Sequence, residues 1–198
     1  MTEETARTWV DVDLGRLAAN VRAMRARTGD ADILMVVKAN AYGHGAVPVS
    51  RAALDAGVWG LGVAALDEAA ELRAAGIDAP IVALMPTLPE QSDRIVALDV
   101  TASITDLPPA EALAAAARRA GRTAAVHVEV DTGMGRAGVW DREAPELVRR
   151  VAELQGLTLD GIFTHFSSSD EPERSHTERQ LDRFDAVLRE LEAMNIRP

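Results

Sequence analysis

Ile33-Leu34-Met35-Val36-Val37-Lys38-Ala39-Asn40-Ala41-Tyr42-Gly43-His44-Gly45 begins with five apolar residues and ends with two glycines flanking a histidine. An apolar run of this length, bounded by turn residues, reads as a buried strand feeding a tight loop, with a helical pattern starting near Ala46. Lys38 stands where strand meets loop. It is the only lysine in the 198 residues and Tyr42 the only tyrosine, while every other basic residue is arginine. Arginine keeps its proton near neutral pH, whereas a lysine amine at the end of an apolar strand can be desolvated, deprotonated and used as a nucleophile or base. The lone lysine therefore points to amine chemistry. The competing reading is a solvated lysine at a strand end, and the apolar neighbourhood disfavours it.

Outward from this stretch the pattern repeats. Strand-like apolar runs at 33–37, 59–64, 81–85, 100–104, 124–130 and 159–164 alternate with helical stretches at 46–56, 66–75, 90–98, 109–120, 143–154 and 173–194. Alternating strands and helices imply an α/β fold with a parallel sheet. No Gly-x-Gly-x-x-Gly follows the first strand, which weakens a dinucleotide-binding reading and leaves a (β/α)8 TIM-type barrel as the expected fold. A closed barrel has eight strands and about 250 residues. The six strands read here predict an incomplete barrel holding part of a site, since barrel sites form at the C-terminal ends of the strands. Ahead of it, Trp9-Val10-Asp11-Val12-Asp13 alternates like a short strand, and Asp13 is placed to cap a helix bearing Leu14, Leu17, Val21 and Met24.

Composition narrows the partners. A net charge of -10 disfavours nucleic acid and anionic membranes, which would repel the chain. With no cysteine there is neither a disulfide framework nor a thiolate metal site, and no His/Asp spacing suggests a metal centre. Met1 to Thr8 lacks the apolar segment of a signal peptide, and no apolar run reaches membrane-spanning length, so a soluble cytoplasmic protein is expected.

Two later stretches carry further polar groups. In Ala124-Ala125-Val126-His127-Val128-Glu129-Val130, alternation puts the valines on one face and His127, Glu129 and Asp131 on the other. A parallel strand sheathed by helices should be apolar on both faces, so the polar face implies a lined cavity. The strand runs into Asp131-Thr132-Gly133-Met134-Gly135-Arg136-Ala137-Gly138. The last strand ends in Gly161-Ile162-Phe163-Thr164-His165-Phe166. Taken alone, His165 reads as a structural histidine, and His176, on a charged helix face, as a solvated one.

Val36 to Gly45 resembles the cofactor-attachment signature of alanine racemases. The Asp-Thr-Gly-Met-Gly-Arg loop and the Gly-x-x-Thr-His-Phe segment resemble two further motifs of that family. The resemblance implies pyridoxal 5'-phosphate (PLP) held covalently on Lys38, with Tyr42 helping to hold the cofactor phosphate. It implies Arg136 beside the cofactor's phenolic oxygen and the substrate carboxylate, and His165 against the PLP ring. Many members carry a carbamylated lysine where this chain has Glu129. An encoded carboxylate there would pair with Arg136 and orient it. His44 lies in the first signature without an assigned role.

By the same resemblance, residues 1–13 would form a strand packing on a C-terminal β domain absent from this chain, and residues 14–198 a partial PLP-binding barrel. The implied activity is interconversion of L-alanine and D-alanine by two-base proton transfer, supplying D-alanine for peptidoglycan, in a homodimer. Lys38 would act on one face. The opposing base is a tyrosine from the C-terminal domain of the partner subunit, and the chain alone is expected to be inactive. Alternatives are a broader amino-acid racemase, a PLP decarboxylase of the same barrel type, a non-catalytic PLP-binding barrel and a dimerising fragment without cofactor.

Overall fold

A computed structural model describes residues 8–198. All six expected strands form: β1 (Leu34–Val36), β2 (Gly60–Val63), β3 (Ile81–Pro86), β4 (Thr101–Ile104), β5 (Ala124–Asp131) and, last in the chain, β7 (Leu157–Thr164). A seventh, β6 (Val139–Trp140), was not foreseen. The sheet order is β1-β2-β3-β4-β5, with β7 and β6 both on β5, and every pairing is parallel. Val130 pairs with both Val139 and Thr164, so β6 occupies the edge of β5 opposite β7. β1 and β7 do not pair with each other, and the architecture is an open, incomplete (β/α)8 barrel.

Helix α1 (Leu14–Thr28) follows Asp13, the expected cap, and α3 (Ala46–Asp55), α4 (Leu66–Ala74), α5 (Ser92–Leu98), α6 (Leu107–Arg119), α7 (Ala144–Ala152) and α8 (Ser175–Ala193) fall within two residues of their expected bounds. A 3-10 turn at Pro89–Gln91 leads into α5. Their apolar faces close on the sheet. Leu61, Ile81 and Ile104 from the strands meet Leu72, Ile95, Leu113 and Leu191 from the helices, all below 2% exposed. Each such side chain contributes about 1.5–3 kcal/mol of burial. The rim at the strand N-termini is tied by Arg73, whose guanidinium donates to the carbonyls of Ile77, Ala79, Leu98 and Asp99 at 2.7–2.9 Å. Among the described residues no helix is long and apolar enough to cross a membrane.

Residues 8–13 pair with no other strand among the described residues, and residues 1–7 lie outside the described residues. The alternation at Trp9–Asp13 is genuine, but a strand exists only when another strand lies alongside to pair its N–H and C=O groups, and none does so here among the described residues. Asp13 does cap α1, accepting from the Arg16 N–H at 3.0 Å. One expectation is corrected, that of an ordinary loop after Lys38. It is a helical element, α2 (Lys38–Tyr42), with left-handed geometry: φ is 51° at Ala39, 55° at Asn40, 52° at Ala41 and 55° at Tyr42.

Candidate active site

Because the strands are parallel, their C-terminal ends share one rim. Lys38 follows β1, Arg136 follows β5 and His165 follows β7. The three are close enough for charge to be felt: the His165 pKa is lowered by burial first, then by the positive charges of Arg136 and Lys38. His165 is thus biased toward the neutral imidazole. The rim combines an amine, a guanidinium and an uncharged aromatic ring.

The left-handed α2 sets how Lys38 leaves its strand. Left-handed conformation costs an L-residue roughly 1–2 kcal/mol, so four in succession store about 4–8 kcal/mol unless other contacts hold them. Those contacts are present. Within the turn, Ala41 N–H donates to Val37 O at 2.8 Å, and Gly43 N–H to Ala39 O at 3.0 Å. His44 Nδ1 donates to Ala41 O at 2.9 Å. Asn40 Oδ1 accepts from Ala46 N–H at 2.7 Å, which also caps the start of α3. Finally Ala39 N–H donates to Glu68 of α4 at 2.7 Å. Tyr42 is 60% exposed at the rim.

Arg136 sits on a loop built by Asp131, whose carboxylate accepts the Gly133 N–H at 2.9 Å and the Gly135 N–H at 3.0 Å. The loop then folds back so tightly that a Cβ on Gly138, at φ +104°, would lie 2.6 Å from Asp131 N. That close return is what makes β6. On the neighbouring strand Gly161 has a similar function, since a Cβ there would press on the His127 ring at 3.1 Å. His127 lies across it in the barrel interior, with Nε2 3.5 Å from Asp160.

No direct salt bridge joins Glu129 and Arg136 among the described residues, and Glu129 Oε2 has no hydrogen-bond partner. Glu129 is only 4% exposed on the strand, while Arg136 lies out on the exposed loop. Burial raises the Glu129 pKa, the charge of Arg136 lowers it and that of Asp131 raises it further. Arg136 therefore acts on Glu129 only through space.

One residue absent from the sequence reading links the later motifs. Gln180 of α8 is fully buried; its Nε2 donates to His165 O at 3.0 Å and Thr132 Oγ1 at 3.2 Å, and its Oε1 accepts from Ser167 N–H at 3.0 Å. Thr132 Oγ1 is also 2.7 Å from Thr164 Oγ1. Its polar side chain at a core position of an amphipathic helix was the available signal. His176, expected in solvent, is half-buried beside Gly133.

Comparison with known proteins agrees with this geometry. Residues 12–198 match the family model "Alanine racemase, N-terminal domain". The alanine racemase of Symbiobacterium thermophilum is 43% identical over 96% of this chain. The crystal structure of alanine racemase from D-cycloserine-producing Streptomyces lavendulae superposes with a TM-score of 0.89 at 39% identity over 94% of the chain. That from Clostridium difficile 630 gives 0.93 at 31% identity over 98%. The chain spans 50–51% of the length of these relatives. It belongs to the family of alanine racemase N-terminal domains.

Proposed function

We propose that this chain is the PLP-binding barrel of an alanine racemase, the whole protein interconverting L-alanine and D-alanine and thereby supplying D-alanine for peptidoglycan. The observation that carries the reading is the convergence of Lys38, Arg136 and neutral-leaning His165 on one rim of parallel strands. The donor set fits the cofactor. Lys38 offers an amine for its aldehyde, the His165 ring a flat partner for its pyridine, and Arg136 a fixed positive charge for its phenolic oxygen. Tyr42, exposed at the end of the turn after Lys38, would help to hold the phosphate. When bound, PLP spreads the negative charge left on an amino acid's α-carbon after proton loss.

The chain's own residues then have separable tasks. Lys38 takes or returns the α-proton on one face of the substrate. Arg136 can also fork onto the two oxygens of the substrate carboxylate, which a guanidinium does with good geometry and without titrating. Glu129 sets the field below Arg136 rather than neutralising it by contact. A racemase needs a second base on the opposite face. We place that base outside this chain, in a second copy that completes a shared site in a homodimer, together with a β-rich domain near Trp9–Asp13.

The test uses the single lysine. PLP is added to the purified chain, fixed with borohydride and located by mass spectrometry. Label on Lys38 that a non-covalent site competitor suppresses is expected. Label confined to the N-terminal amine would overturn the cofactor reading. Product analysis with alanine, serine and lysine, on the chain joined to the remainder of a racemase, then separates an alanine racemase from a broader enzyme or a decarboxylase.

A further inference from the structure

Glu68 sits in the first turn of α4, three residues after Ala65, and divides its carboxylate between two loops. Its Oε2 accepts from Ala64 N–H at 2.7 Å and from Ala65 N–H at 3.1 Å, which satisfies the start of its own helix. Its Oε1 is not needed for that purpose. It accepts from Ala39 N–H at 2.7 Å, 29 residues away and immediately after Lys38. Ala39 is the first of the four left-handed residues, so the bond falls where the backbone departs from ordinary geometry.

We propose that Glu68 is a positioning residue for Lys38: one carboxylate ties the left-handed turn after β1 to the loop after β2 and so fixes the direction in which the lysine side chain leaves the rim. The proposal rests on the reading of Lys38 as the cofactor lysine. The geometry explains how four non-glycine residues stay left-handed in a loop whose sequence would otherwise relax to right-handed turns. The carboxylate is well suited to it. Burial opposes its ionisation, but the three backbone N–H donors and the charge of Lys38 outweigh burial and hold its pKa below the ordinary value. An ionised acceptor binds N–H groups more strongly than a neutral one. The competing role is that of a cap for α4 alone.

Glu68→Gln separates the two. A glutamine has one acceptor oxygen and can serve the α4 start or Ala39, not both. Two readouts are made on the 198-residue chain: amide hydrogen exchange over residues 39–45, and the rate at which borohydride traps PLP on Lys38. Glu68→Asp, which keeps the charge but is one methylene shorter, is run beside it. Thermal melts check that both variants stay folded. Exchange at Ala39 to Gly45 is expected to quicken roughly tenfold or more in both variants, as loss of a charge-assisted bond predicts. Trapping on Lys38 should slow by a similar factor while exchange in the α4 interior stays unchanged. Wild-type exchange over 39–45 in both variants overturns the proposal, as does trapping at the wild-type rate despite faster exchange; wild-type exchange there in Glu68→Gln alone, with faster exchange at Ala64 and Ala65, means that the amide oxygen has kept Ala39 and supports it. If the wild-type chain traps no PLP at Lys38, it is the cofactor reading that fails, and the exchange measurement alone, which needs no cofactor, decides whether Glu68 holds the turn.

Discussion

Replacing Gln180 by leucine should loosen both later motifs at once. The side chain is fully buried and bridges the Thr132 loop to the His165–Ser167 segment. Leucine preserves most of the volume, so little cavity forms. The loss is polar: His165 carbonyl and Ser167 N–H lose the partner that Gln180 provides, whereas Thr132 Oγ1 retains Thr164. An unmatched buried group costs about 1–3 kcal/mol. Both groups belong to exposed residues that water can partly reach, so the low end of that range, about 1–1.5 kcal/mol each, applies and the pair sums to about 2–3 kcal/mol. For a domain of this size that corresponds to a Tm lower by roughly 5–10 °C. Urea and thermal melts followed by circular dichroism measure it, and amide exchange at Ser167 localises it. Gln180→Glu sharpens the test, because it sets a carboxylate oxygen against the His165 carbonyl. The introduced carboxyl would have its folded pKa above the unfolded one, so this variant should be most stable at acid pH and weaken as pH rises through the ordinary carboxylate range. A Gln180→Leu loss below about 0.5 kcal/mol, within the scatter of ordinary surface changes, with unchanged Ser167 exchange, would refute the account.

Two other perturbations are predicted. Gly138→Ala forces a Cβ to 2.6 Å from Asp131 N at φ +104° and should cost about 3 kcal/mol; a variant as stable as wild type would show that the loop carrying Arg136 is not held by this close return. Glu129→Gln removes a buried carboxyl whose pKa is raised by burial. Such a group penalises the fold as pH climbs from the ordinary value through the raised one, so the variant should melt above wild type at pH 7 and converge with it below pH 4.5. A melting difference that does not depend on pH would contradict this.

The strands and helices were legible because each satisfies a local pattern. Parallel strands buried on both faces read as apolar runs, and β2 and β4 are indeed buried at every residue. The helices between them carry apolar stripes at helical spacing. At Trp9–Asp13 alternation describes a surface only, since a strand also needs a neighbour to pair with. The motif residues were legible as residue types at strand ends. Their mutual placement was legible only in part. Lys38, Arg136 and His165 follow strands whose ends share one rim, while Glu129 is buried on its strand and Arg136 exposed on the loop beyond it.

The sequence by itself determined an α/β barrel with an amine at the end of its first strand, because hydrophobic period and a unique lysine are properties of neighbouring residues. Only the tertiary structure decided that the turn after Lys38 is left-handed. No local preference favours four L-residues in that conformation. It persists because Glu68, Asn40 and His44 hold its backbone, and Glu68 reaches it from another βα unit.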